Sequence, residues 1–295
     1  MKAHSQRAGS FVIGLPAAWL FLFVLLPLLI VLAISLVEMR TGSPPYTPFF
    51  TWESGLPRMH AQGGNYALLF SDRLYIDAFL SSIRIAATSA FIALFIAYLM
   101  AYAISRAKES VRTPLLMLVV LPFWTSFLIR VYAWTGILNS NGLINNALLN
   151  FGLIKTPLPL LHTEFAVHLG IVYSYLPFMV LPIFAVLEKL DWTYLEAAAD
   201  LGARPLKAFL RVTLPLSLPG VFAGFLLVFI PALGEFIVPE LLGGPDTLMI
   251  GRVLWTEFFS NRDWPLASAL AVGLLVLVLV PAILMFRMMR KGEAA

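Results

Sequence analysis

Two sets of residues stand where they could do chemistry. The first is a pair of carboxylates, Glu235 and Glu240, set in apolar sequence beside Pro231 and Pro239. A carboxylate in a bilayer core costs about 2.5–3.5 kcal/mol on insertion scales, so it faces a cavity or a partner. There it would attract a cation, and aromatic faces attract ammonium groups in the same way. Trp124, Tyr132, Trp134, Tyr173 and Tyr175 are the aromatic candidates; the competing reading is an interfacial belt, where Trp and Tyr collect. Two readings of Glu235 are open: it lines a pathway, or it pairs with Arg130 or sits at the interface. On an unbroken helix the two carboxylates would stand about 140° apart and not share a face. Glu240 and Asp246 are then expected at an outer mouth.

The second set runs from Asp191 to Pro215. Thr193 and Glu196 have the spacing of a capping box, which predicts a helix beginning at Thr193. Ala197, Ala198 and Ala199 are strong helix formers with little bulk. Gly202 can take the left-handed conformation that closes a helix. Pro205 suits the first turn of a second helix, and Pro215 is expected where that helix ends. The result is a small helical elbow. It could insert into a groove on another protein, or lie as an amphipathic hairpin on a membrane surface.

Other chemistry is excluded. There is no G-x-x-x-x-G-K-[ST] motif and no Gly-Lys pair, so the chain lacks the loop that holds nucleotide phosphates. Cysteine is absent, which removes disulfides and thiolate metal sites. His162, Glu164 and His168 lack the spacing of a helical zinc pair, and no nucleophile–base constellation is evident. A conduit and transducer, not a catalyst, is expected, with no metal and no cofactor of its own.

The elements that must position these residues are membrane helices. Of 295 residues, 60% are hydrophobic and 12% charged, against about 25% charged in soluble domains. Mean hydropathy is +0.88. Six stretches approach the roughly 20 apolar residues that cross a bilayer: 11–37, 82–104, 114–138, 165–187, 219–242 and 265–286. The first has a basic flank, but its apolar run exceeds a signal-peptide core of about 7–15 residues, so an uncleaved anchor is expected. Twelve Lys and Arg fall in the terminal and intervening segments of one side and six on the other. The positive-inside rule then places both termini and the elbow in the cytoplasm. The same rule accounts for the net charge of +4 without nucleic acid. Internal prolines (Pro16, Pro27, Pro122, Pro177, Pro182, Pro231, Pro239) free backbone carbonyls that lipid cannot satisfy. They suit helices lining a moving pathway, though proline is common in membrane helices generally.

The elbow resembles the signature of binding-protein-dependent ABC importer permeases: Glu-Ala-Ala, three residues, Gly, nine residues, Ile or Val, one residue, Leu-Pro. Glu196, Ala197, Ala198, Gly202, Val212, Leu214 and Pro215 fall in that register. Segments 121–134, 171–182, 234–246, 249–252 and 261–264 extend the resemblance to the polyamine (spermidine/putrescine) permeases, the putrescine type above all. The resemblance implies an all-α integral membrane protein of six transmembrane helices with the type I importer permease fold. It implies a single transmembrane domain over 1–295, with a coupling loop at 188–218 between helices 4 and 5. It implies residence in the bacterial inner membrane. The implied partners are a second, different permease chain, two ATPase subunits that hold ATP and Mg, and a soluble binding protein. Permeases for an oxyanion, ferric ion or thiamine remain alternatives within the class. An ATP-independent secondary transporter is the alternative outside it.

Overall fold

The computed structural model describes residues 14–53, 56–245 and 247–292. Asp246 and the first three residues of the first expected span lie outside them. Helix α1 covers Gly14–Ser35. A hairpin follows, β1 (Phe50–Glu53) pairing antiparallel with β2 (Leu56–Met59) in the register Phe50–Met59. Then come α2 (Gly64–Ser71), α3 (Arg73–Arg106) and α4 (Glu109–Val120). Next are α5 (Phe127–Leu138), α6 (Leu143–Asn150), α7 (Glu164–Leu187) and α8 (Thr193–Asp200). The last are α9 (Pro205–Leu233), α10 (Ile237–Leu242), α11 (Ile250–Trp255) and α12 (Trp264–Gly292). Five of these helices are long and apolar enough to cross a membrane, six if the bent pair 109–124 and 127–150 is counted as one span.

Over the expected span 114–138 the chain is not one helix but this pair. The chain bends by 89° between Trp124 and Phe127, after a tight 3-10 turn at Leu121–Trp124. Thr125 (ψ 151°) and Ser126 (ψ 136°) leave the helical conformation there, which ends the helical bonding and lets the chain turn. Segment 38–75 contains the hairpin and α2. The fifth expected span, 219–242, is also not continuous: α9 stops at Leu233 and α10 starts at Ile237. At its other end, α9 passes straight through Pro215. A wide turn at Phe209–Thr213 bonds Leu214 N–H to the Phe209 carbonyl, five residues back.

The chain forms two compact units, one of residues through Ile76 with Val253–Leu277, the other of Asp77–Arg252 with Val278 onward. In the first unit, Asn65 Nδ2 donates to the carbonyls of Ser35 and Val37, both at 2.9 Å. These bonds tie the end of α1 to the start of α2. Glu257 is buried there; it accepts from Tyr75 Oη at 3.0 Å and Asn261 Nδ2 at 2.7 Å.

The second unit is built on α7 against α9. Met179, Val180, Ile183 and Leu187 share a core with Val221 and Val228, and with Ala90, Ala93, Ala97 and Ala101 on one face of α3. Small residues let membrane helices approach closely, since lipid supplies no hydrophobic force between them. Gly220 and Gly224 do this on α9. A β-carbon at Gly220 would lie 2.7 Å from the Pro182 carbonyl oxygen and 3.1 Å from Ile183 Cα. Both are backbone atoms of α7 and cannot rotate away. Tyr98 Oη and Ser217 Oγ, 2.9 Å apart and buried, join α3 to α9.

Gly220→Val should therefore lower the thermal midpoint in detergent, with an overpacking cost of about 1–3 kcal/mol. Gly136→Ala, where a β-carbon meets nothing within 4 Å, should leave the midpoint unchanged. Melting monitored by size-exclusion fluorescence checks both.

Candidate functional site: the elbow and the broken helix

The elbow is α8, a corner at Gly202, and the start of α9. Its entry differs from the expected capping box. Trp192, not Thr193, is the N-cap, and its side chain makes no capping bond. Thr193 is already helical, and both its amide (3.0 Å) and its hydroxyl (2.8 Å) donate to Asp191 Oδ1. Asp191 thus organises the first turn. The two donors hold its carboxyl below the usual carboxylate range. The corner is a Schellman motif. Gly202 has φ +79°, its amide donates to Ala199 O at 2.8 Å, and the Ala203 amide to Ala198 O at 3.0 Å. Arg204 is the cap of α9, with Pro205 in its first turn.

Glu196, Ala197 and Gly202 are exposed and Ala198 is half-buried. Tyr194, Leu201 (89% exposed), Leu206 and Leu210 are also exposed. Exposed apolar side chains gathered at one helix corner suit an interaction surface. Val212, Leu214 and Pro215 lie inside continuous α9, not at a loop end. The elbow is braced from within: Arg106 sits 4.5 Å over the Trp192 ring, and Tyr102 packs edge-on to Trp192 and Phe209.

The second site is the break between α9 and α10. Glu235 is 7% exposed and lies in the break, not on a helix face, so the 140° relation to Glu240 does not hold. Its Oε1 accepts from the amides of Phe236 (3.2 Å), Ile237 (3.0 Å) and Val238 (3.4 Å). These are amides that the start of α10 leaves unpaired. Oε2 accepts from Tyr175 Oη on α7. Ile250 N donates to Ser82 Oγ at 2.7 Å, holding the start of α11 to α3. Gly251 lies against the break; a β-carbon there would come within 2.7 Å of the Glu235 carbonyl oxygen.

Arg130 does not pair with Glu235. It is 8% exposed, with its guanidinium 4.7 Å from the Phe123 ring centre and 5.8 Å from that of Phe127. Its Nε and Nη1 are buried and have no acceptor among the described residues. Tyr175 stands 6.4 Å from Phe127 and 6.3 Å from Phe178. Of the aromatic candidates, only Tyr175 reaches Glu235. Trp134 and Tyr173 pack edge to face at 5.4 Å. Trp124 (84% exposed) and Tyr132 face outward. Glu240 pairs with Arg252 at 2.6 Å. Sequence reasoning missed Phe123, Phe127 and Phe178, because a Phe in apolar sequence carries no polar signal. It also missed a carboxylate relay: Arg84 Nη2 donates to Glu164 at 3.0 Å, and His168 lies 3.3 Å from the other Glu164 oxygen.

An exposed apolar corner between two helices and a buried carboxylate at a helix break are thus the two candidate sites of a chain with five to six membrane-spanning helices. The chain belongs to the family described as binding-protein-dependent transport system inner membrane component, which matches residues 93–291. It is similar to the spermidine/putrescine transport system permease protein PotB of Haemophilus influenzae, with 41% identity over 94% of this chain and 93% of that one. PotB of Escherichia coli K12 is 39% identical over 88% of this chain and 90% of that one. The fold matches a chain of a bacterial alginate ABC transporter solved with an alginate pentasaccharide-bound periplasmic protein. There the TM-score is 0.72 and the identity 18%, over 98% of this chain and 96% of that one. The chain thus has the type I ABC importer permease fold.

Asp191→Ala should speed amide exchange in the first turn of α8 without altering that in α7. The native carboxyl is depressed, so the cap is complete above the ordinary carboxylate range and is lost as pH falls through the depressed value. Exchange rates at Thr193–Glu196, corrected for intrinsic chemistry, should rise only at that acid limit.

Proposed function

We propose that this chain is the permease subunit of an ATP-driven importer of polyamines, putrescine or spermidine. It forms half of the pathway and takes its drive through the elbow at Gly202. Its partners in this reading are a second, different permease chain, two ATPase subunits carrying ATP and Mg, and a soluble binding protein outside. Both termini and the elbow face the cytoplasm, as the Lys and Arg distribution requires. Glu196, Ala197, Ala198 and Gly202 meet the ATPase, with the exposed Tyr194 and Leu201 at the rim of the contact.

The observation that carries the cargo assignment is Glu235. It is a buried carboxylate in a membrane segment with no cationic partner among the described residues. Every group it touches is a neutral donor. A ligand ammonium is a stronger donor than the Tyr175 phenol and brings the opposite charge, so it can take the phenol's place on Oε2. The three amides on Oε1 keep the carboxylate in position as the second donor changes. The Phe123, Phe127 and Phe178 rings beside Tyr175 suit the methylene chain of a slender polycation. Glu240 and the neighbouring Asp246 belong to the outer mouth in this reading. The names of the PotB relatives agree with this cargo.

Glu235→Gln tests it, because a glutamine oxygen keeps the helix cap, while the charge and the oxygen that accepts from Tyr175 are lost. A charge-assisted bond contributes about 1.5–3 kcal/mol. KM for labelled putrescine in vesicles carrying the assembled transporter should therefore rise about ten- to a hundredfold. Unchanged KM and rate would remove Glu235 from the pathway. At the elbow, Gly202→Val forces a side chain into left-handed backbone, at about 1–2 kcal/mol. It should abolish ligand-stimulated ATP hydrolysis while leaving the binding protein's affinity for putrescine intact. Full stimulation would overturn the docking assignment.

A further inference from the structure

We propose that the hairpin of α3 and α4 carries a binding site for an anionic phospholipid, with its phosphate on Arg112 and an acyl chain in the groove below. The groove is a cavity of about 330 Å³ lined by Met100, Ala103 and Ile104 of α3 and Leu115, Leu118 and Val119 of α4. That is the size of a small ligand pocket, and its lining residues are all apolar. It needs an occupant that is a hydrocarbon where these side chains stand.

The mouth of the groove has the opposite character. Arg112 Nε donates to the carbonyl of Ala107, at 2.9 Å, across the turn that joins the two helices. Leu115 and Val119 follow Arg112 on one face of α4, at i+3 and i+7. Ala103 and Ile104 precede Ala107 by one turn on α3. The guanidinium therefore closes the end of the groove, with the lining one and two turns beneath it, over about 10 Å of helix axis. The Ala107 carbonyl uses one of its five N–H donors. Nη1 and Nη2 have no partner among the described residues and Arg112 is half-buried. The forked geometry of a guanidinium matches two phosphate oxygens. Lys108 is exposed at the cap of α4, and Glu109 is the one acidic residue in the turn. The nearby Arg106 is engaged over Trp192, which leaves Arg112 and Lys108 for the headgroup.

A soluble anion would use the mouth and leave the apolar groove unoccupied. A zwitterionic lipid would fill the groove and gain little at the mouth. Basic pockets between helices at a membrane surface hold anionic headgroups, and a phospholipid with net negative charge satisfies both halves of this one. The inference stands apart from the polyamine assignment, since none of these residues belongs to the pathway or the elbow.

The test is native mass spectrometry of the assembled transporter in detergent, offered equal amounts of phosphatidylglycerol and phosphatidylcholine. The wild-type complex should retain phosphatidylglycerol about tenfold over phosphatidylcholine, the worth of one charge-assisted contact. Arg112→Gln should bring the ratio to near parity. Ala103→Trp, at an exposed side chain that leaves the Arg112–Ala107 bond in place, should remove the bound lipid of both kinds. Millimolar inorganic phosphate should not displace phosphatidylglycerol. Parity in the wild type, or an unchanged preference in Ala103→Trp, would overturn the site. Displacement by phosphate would overturn the lipid assignment. If Arg112→Gln fails to assemble, Ala103→Trp decides alone.

Discussion

Lipid offers no hydrogen bonds, so a chain that interrupts a helix within the membrane must satisfy the freed backbone groups itself. The interval from Gly234 to Phe236 meets that demand with one side chain. Glu235 Oε1 takes the amide of the cap residue Phe236 and the first two amides of α10, and a carboxylate at a helix start is favoured by the helix dipole as well. Packing around the break follows from this. Val238 and Leu242 can approach Gly170 of α7 because α10 leaves the line of α9 at the right point; a β-carbon at Gly170 would meet both at 2.7 Å. Tyr175 then lies beside the carboxylate, and the Phe rings gather around Tyr175.

Much of the architecture was legible because membrane helices carry a strong and simple signal. Length and apolarity located α1, α7 and α12 closely. The elbow was legible because Gly and Pro have positional meanings: Gly202 is left-handed and Pro205 opens a helix. The failures share one cause. Where two local preferences compete, sequence spacing does not say which wins. Thr193 and Glu196 have capping-box spacing, yet Asp191 accepts both Thr193 donors and shifts the cap to Trp192. Pro215 should stop a helix, yet a wide turn just before it lets the helix continue. Glu235 looked like a residue on a helix face, and its actual role as a cap depends on a break that neither Pro231 nor Pro239 locates. The aromatic cluster was half visible, since Tyr175 declares a polar atom and Phe123, Phe127 and Phe178 do not.

The elbow and the Glu235 break lie at opposite ends of one element. α9 begins three residues after the Gly202 corner and ends two residues before Glu235. Its 29 residues make a rod of about 44 Å, braced against α7 by glycine contacts and against α3 by the Tyr98–Ser217 bond. Bending at the wide turn of Phe209–Thr213 would be absorbed close to the elbow. Beyond that turn the rod is held on two sides, by α7 and by α3.

The alanines of α3 add a property to that rod's surroundings. Ala90, Ala93, Ala97 and Ala101 are fully enclosed and carry no side-chain branches. Interlocked leucines would tie neighbouring helices to fixed steps, because each knob must climb out of its hole before the next position is reached. A row of methyl groups has no such teeth. Register along it is set instead by the larger side chains between the methyl groups, Tyr98 bonded to Ser217 and Phe91 packed on Phe225, both partners on α9.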